Sequence, residues 1–159
     1  MLQDLTTILP GVGLGKIRFG MTRDQIKFIL GEPEEVDNFY LDDAKKCESE
    51  SWYYDSKGLS LSFEAEEDWK LITIEVDEEG FTLQGNTVIG ISKKELYVLL
   101  EELDITDLYE EATPMNETET HELVSSDSFE INFWLEENRV SEIQWGPLYS
   151  SEDTVNWPN

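Results

Sequence analysis

Few residues in this chain have the types and spacing that chemistry requires. His121 is the single histidine. It stands between Thr120 and Glu122 at the start of an expected strand and reads as a surface or structural residue. One histidine would have to serve every general-base role, so no Ser-His-Asp or Cys-His nucleophile can be composed. Cys47, beside Lys46 and Glu48, is also alone, which forbids an intramolecular disulfide and reads as an exposed loop thiol. The run Gly11-Val12-Gly13-Leu14-Gly15-Lys16 invites a phosphate loop. It lacks the four-residue spacing of the glycines, Ile17 stands where a Ser or Thr is needed, and no strand is expected before it. Glu64-Ala65-Glu66-Glu67-Asp68 and Asp77-Glu78-Glu79-Gly80 are acidic enough for calcium but lack the spacing of a calcium loop, and they read as hairpin tips. A carboxylate pair of the kind glycosidases use is guaranteed somewhere among 36 acidic residues and so identifies nothing. The expectation is a non-enzyme with no catalytic residue, no cofactor and no metal.

Composition says what kind of partner to expect. The chain has 159 residues and a formal charge of −25, from 36 Asp and Glu against 11 Lys and Arg. Such a surplus favours a cationic partner and disfavours direct binding to nucleic acid, whose phosphates attract Lys and Arg. Arg139 is the one cation after Lys94. The plain alternative is a well-solvated surface. The chain has 5 Trp, 6 Tyr and 7 Phe, and 39% of its residues are hydrophobic, so it is expected to fold around a core rather than stay disordered. The opening MLQDLTTILP has neither the basic region nor the apolar run of a secretory signal, and no stretch is apolar enough to span a bilayer. The expected location is cytoplasmic, away from membranes. Oligomeric state is left open.

Two segments share the grammar of a helix start. Thr22 and Ser92 are expected N-caps, with Gln25 and Glu95 three residues on completing capping boxes. Met21 and Ile91 precede the caps, positioned to pack on Ile26 and Leu96. The apolar positions that follow are Ile26, Ile29, Leu30 and Leu96, Leu99, Leu100. Gly31 and Pro33 end the first helix, whereas the second is expected to run to about Leu103. Strands are expected at Trp52–Asp55, Leu59–Glu64, Lys70–Val76, Glu122–Ser125, Phe129–Glu136 and Arg139–Trp145, with one more around Phe81–Val88 joining the two halves. The reading is therefore a single α+β domain, 1–159. It consists of two tandem helix-plus-antiparallel-sheet repeats, about 20–80 and 90–146, and an acidic tail, 147–159.

Alternation assigns the faces. Leu59, Leu61, Phe63, Ile72, Ile74, Phe129, Ile131, Phe133 and Ile143 are expected against the helices. Ser60, Ser62, Glu64, Thr73, Glu75, Glu130, Asn132, Trp134, Glu142 and Gln144 then line the other face, while Trp145 falls in the core. A polar, acidic sheet face holding a tryptophan suits protein binding, because aromatics anchor interfaces and carboxylates select a basic partner.

Gly20-Met21-Thr22, Gln25-Ile26 and Leu30-Gly31-Glu32-Pro33 resemble the helix signature of small outer-membrane assembly lipoproteins and of β-lactamase-inhibitory-protein-like folds. The ending, Ile143-Gln144-Trp145-Gly146-Pro147-Leu148 and Asp153-Thr154-Val155-Asn156-Trp157-Pro158, is similar to bacterial polymorphic-toxin immunity proteins. The lipoproteins carry an export signal and a lipidated cysteine near the start, and Cys47 is interior. The resemblance implies an immunity protein that neutralises a cognate toxin with a basic, nuclease-type surface. An assembly or scaffold module and a DNA-mimicking anti-restriction protein are the alternatives. The expected partner-binding residues are Glu64, Glu75, Glu130, Trp134 and Glu142 on the sheet face, with Glu152, Asp153 and Trp157 in the tail.

Overall fold

The structure is a computed structural model that describes residues 4–40, 47–114, 116–117, 120–151 and 154–158. Both helix starts form as the local chemistry requires. Helix α1 spans Arg23–Leu30, with Thr22 Oγ1 accepting from the Gln25 amide at 3.2 Å and Gln25 Oε1 accepting from the Thr22 amide at 2.9 Å. Helix α2 spans Lys93–Glu102, and Ser92 with Glu95 makes the same reciprocal pair at 3.2 and 3.1 Å. Each pair satisfies backbone N–H groups that the first helical turn would otherwise leave without a partner.

Most of the molecule is sheet. The short strands β1 (Thr7–Leu9), β2 (Gly13–Leu14), β3 (Ile17–Arg18), β8 (Thr82–Leu83) and β9 (Asn86–Thr87) form one sheet in the order β3-β2-β1-β8-β9. The large sheet holds β4 (Glu35–Tyr40), β5 (Cys47–Tyr54), β6 (Leu59–Glu64), β7 (Lys70–Val76), β10 (Leu108–Pro114), β11 (Thr120–Ser126), β12 (Ile131–Glu136) and β13 (Arg139–Trp145). Its order is β10-β11-β12-β13-β7-β6-β5-β4, and every neighbouring pair in it is antiparallel. Strands β14 (Leu148–Ser151) and β15 (Thr154–Asn156) pair as a hairpin within the segment expected to be a tail.

The expected α+β organisation of two helix-plus-sheet repeats is corrected by this architecture. Strand makes up 52% and helix 17% of the structure, two α-helices are found among the described residues, and the large sheet is antiparallel throughout. The reason is non-local. Ile143, Gln144 and Trp145 of β13 pair with Val76, Glu75 and Ile74 of β7, which fuses the strands of both halves into one continuous sheet. This pairing satisfies the backbone groups that two separate sheets would each leave open at an edge.

Several boundaries also differ. Strand β5 begins at Cys47, well before Trp52, and the expected connecting strand around 81–88 is two short strands, β8 and β9, in the smaller sheet. Strands β4 and β10 were not legible from alternation, because almost every side chain on them is exposed. A strand, β1, does precede the glycine run at 11–15. The run is nonetheless filled by its own backbone: the Gly15 amide donates to Thr7 O at 2.8 Å and the Lys16 amide to Asp4 O at 2.9 Å. A Cβ at Gly13 would stand 1.9 Å from the Ile17 carbonyl oxygen, so the glycine is required by close packing of the loop on its own backbone.

One hydrophobic core joins the helices to the large sheet. Ile26, Leu96 and Leu100 pack with Leu61, Phe63, Ile74, Ile131, Phe133, Ile143 and Trp145, all essentially inaccessible to solvent. The Trp145 indole donates to Gly13 O at 3.0 Å, so the indole N–H is satisfied in the core. Ion pairs on the helix side tie each helix to the sheet. Arg23 meets Glu50 at 3.1 Å, and Lys93 meets Glu110 at 2.5 Å and Glu122 at 2.7 Å.

Candidate functional site

Residues directly opposite one another in an antiparallel pair share a face, so the registers define the surface that the helices leave uncovered. Trp134 faces Glu142 on one side and Leu123 on the other. Asn132 faces Gln144, and Gln144 faces Glu75. Glu75 faces Ser60, and Ser60 faces Tyr53. Tyr109 on β10 faces Ser125, and Asp37 on β4 faces Ser51. The result is one polar face that crosses all eight strands, with carboxylates and aromatics side by side.

Its centre is the seam between β7 and β13. Glu75 is half-buried there and hydrogen-bonds Glu142. Burial first, then that hydrogen bond and the charges of Glu142 and Asp77, push Glu75 up to about 8. The neighbouring Glu142 thus favours the neutral form of Glu75. Next to them the amides are ordered in a chain: Ser125 Oγ donates to Asn132 Oδ1 at 2.7 Å, and Asn132 Nδ2 donates to Gln144 Oε1 at 3.3 Å. Burial, then the charge of Asp37, raises the Tyr53 phenol above its ordinary range.

Trp134 lies on this face as expected, half-buried, with the His121 ring 4.8 Å away at a tilt of 38°. His121 is thus a packing partner for the tryptophan. Its Nε2 is buried without a hydrogen-bond partner among the described residues.

Several of the described cations are engaged elsewhere. Arg23 lies over the Trp69 ring at 4.7 Å, Lys27 over Trp52 at 5.4 Å, and Arg139 donates to Gly90 O at 2.9 Å. Lys70 is the cross-strand neighbour of Glu64, but its ammonium sits over the Trp157 ring at 5.4 Å. Among the described residues no ion pair reaches Glu75 or Glu142.

The expected site residues separate accordingly. Glu75, Trp134 and Glu142 come together at the centre, and Glu64 stands at the end of β6. Glu130 is not on a strand. It occupies the turn before β12 with φ 50°, which corrects the expected start of that strand at Phe129. Ile72 is also moved: Ser62 opposes Thr73 while Phe63 opposes Leu71, so Ile72 is the extra residue of a bulge. Trp157 packs against the core and beside Gly20, where an added Cβ would meet its ring at 3.0 Å. Glu152 and Asp153 lie outside the described residues. Tyr53, Asp37 and Tyr109 join the face without having been expected there. Only Tyr53 left a trace, being one residue past Trp52 in a recognised strand.

Among the described residues no group of three or more His, Cys, Asp or Glu side chains is disposed to hold a metal ion. No helix among them is long and apolar enough to cross a membrane.

No family model matches the chain, and no curated protein sequence does. Among solved structures it is similar to an extracellular protein containing a SCP domain from Bacillus anthracis str. Ames. Identity is 12% over 92% of this chain and 47% of that one, with a TM-score of 0.49. The chain therefore spans about half the length of that protein, and a likeness at this level says nothing about the site.

Proposed function

We propose that this protein is a cytoplasmic, non-catalytic immunity protein that neutralises a cognate bacterial toxin by covering a basic surface on it. The observation that supports this reading is the central stretch of the polar sheet face. Glu75 and Glu142 lie there without a cationic partner among the described residues, bordered by Trp134 and Tyr53. A carboxylate-rich face steers a cationic protein during approach, and half-buried aromatics supply the contact area that holds it. A nuclease-type toxin suits such a face, because it needs cations to hold phosphate.

The test is protection and binding together. The protein is co-produced with each candidate toxin encoded beside its gene, and cell growth is followed beside surface-immobilised binding kinetics. Protection that is lost with Glu75→Lys/Glu142→Lys, in a variant that still melts cooperatively, supports the reading. Full protection by that variant, or a toxin that never binds, overturns it.

A further inference from the structure

The polar face ends in a cleft of about 200 Å³. Glu64, Glu130, Tyr149, Asn132, Gln144 and Ile72 are among the residues that line it. Tyr149 belongs to β14, so the C-terminal hairpin closes one side of a surface that is otherwise a sheet. Asn132 and Gln144 are already hydrogen-bonded to each other, at 3.3 Å, and continue the amide chain that leads to Glu75. The cleft is thus continuous with the face described above.

Its two carboxylates are placed with care. The turn Asp55-Ser56-Lys57-Gly58 leads β5 into β6, with Gly58 at φ 64°. The turn Asp127-Ser128-Phe129-Glu130 leads β11 into β12 with the same left-handed end, but glutamate stands there at φ 50°. Glycine is the unstrained residue at such a position. The Glu130 amide donates to Asp127 O at 3.2 Å and its carbonyl accepts from the Gly146 amide at 3.2 Å, so the backbone is held while the side chain reaches the cleft. Burial raises the pKa of both Glu64 and Glu130, with Glu66 and Glu67 adding to the first and Asp127 to the second. No Lys or Arg lines the cleft among the described residues, and Lys70, opposite Glu64, is turned onto Trp157.

Building on the binding role above, we propose that this cleft receives an arginine side chain projecting from the basic partner. Charge complementarity selects a cation. Two carboxylates and neighbouring amide oxygens favour the planar guanidinium over an ammonium, because its five N–H donors form a fixed fork that can engage several acceptors at once. The Tyr149 ring offers a surface on which a guanidinium stacks, and Ile72 offers apolar contact to its aliphatic stem.

The probe is N-acetyl-arginine amide, titrated into the full-length protein and followed by backbone amide NMR, with the citrulline and lysine counterparts as controls. The expected result is saturable shifts centred on residues 64, 72–73, 130–132 and 144–149, tighter for arginine than for lysine and absent for citrulline. Glu64→Gln should weaken binding by about tenfold, the size of one lost charged contact. Glu130→Gly should weaken it similarly while melting no lower than wild type, since it removes the carboxylate and the backbone strain together. Unsaturable shifts spread over the acidic surface, equal response to citrulline, or equal affinity for the lysine probe would overturn the proposal. Because the probe replaces the toxin, a positive result here with no protection in cells condemns the immunity reading alone, and protection with no arginine binding condemns the cleft alone.

Discussion

The carboxyl group of Glu75 hydrogen-bonds Glu142 across the seam where β7 pairs with β13, the pairing that joins the strands of the two halves within the large sheet. Folding raises Glu75 from 4.5 to about 8. Below the lower value the group is protonated in both states and folding is not penalised. As pH rises toward the upper value the unfolded chain ionises first, and native stability falls across that window. The melting temperature should decline by several degrees between about pH 5 and pH 8. Glu75→Gln should flatten that decline. Melting curves across the window decide it, and an equally steep decline in the variant would refute the raised pKa of Glu75.

Acid should find a second, opposite limb. Asp107 accepts from Ser126 Oγ at 2.7 Å and from the Ser128 amide at 2.9 Å, and these bonds lower it from 3.8 to about 2. Its contribution is present above the unfolded value and is lost as pH falls through that range. Asp107→Asn should therefore destabilise at neutral pH and lose much of the difference from wild type near pH 2, as read by urea unfolding at both extremes.

Each capping box should carry stability of its own. Thr22→Ala and Ser92→Ala are each expected to cost about 1 kcal/mol, because each strands an amide that its hydroxyl now satisfies. Denaturant midpoints at constant slope measure this. A loss of under a few tenths in both would mean that water replaces the cap.

Lys93 links α2 to two strands at once, through Glu110 on β10 and Glu122 on β11. Its hydrogen bonds to those carboxylates raise its pKa. Lys93→Met keeps the stem and removes the charge, and should lower stability by about 0.5–1 kcal/mol, less at high salt. Hydrogen exchange should rise chiefly in β10, an edge strand with one neighbour. Uniform protection along the sheet would assign the stability to packing alone.

If the proposed toxin complex forms through the sheet face, Trp134→Ala should raise its dissociation rate by an amount worth about 2 kcal/mol, as anchoring aromatics do. Glu142→Lys should instead slow association and weaken its dependence on salt. Wild-type kinetics for both, together with failure of Trp157→Ala, would move the interface from the sheet face to the C-terminal segment.

What the sequence determined by itself is local. The spacing of Thr22 with Gln25 and of Ser92 with Glu95 reads directly as helix starts, because a capping box closes within four residues. Alternation delimits Leu59–Glu64, Lys70–Val76 and Arg139–Trp145, and it puts Glu75, Trp134 and Glu142 on the polar side, because the side-chain period of a strand is two wherever one face is buried. Strands β4 and β10 escaped that reading because neither of their faces is buried. Tertiary structure alone decided which edges meet. Pairing of β13 with β7 turned two expected repeats into one sheet, set Glu75 beside Glu142 and raised the pKa of Glu75. A bulge moved Ile72 to the cleft, and a left-handed turn moved Glu130 off its strand. Register between distant strands depends on which buried backbone groups find partners, and no window of local sequence contains that information.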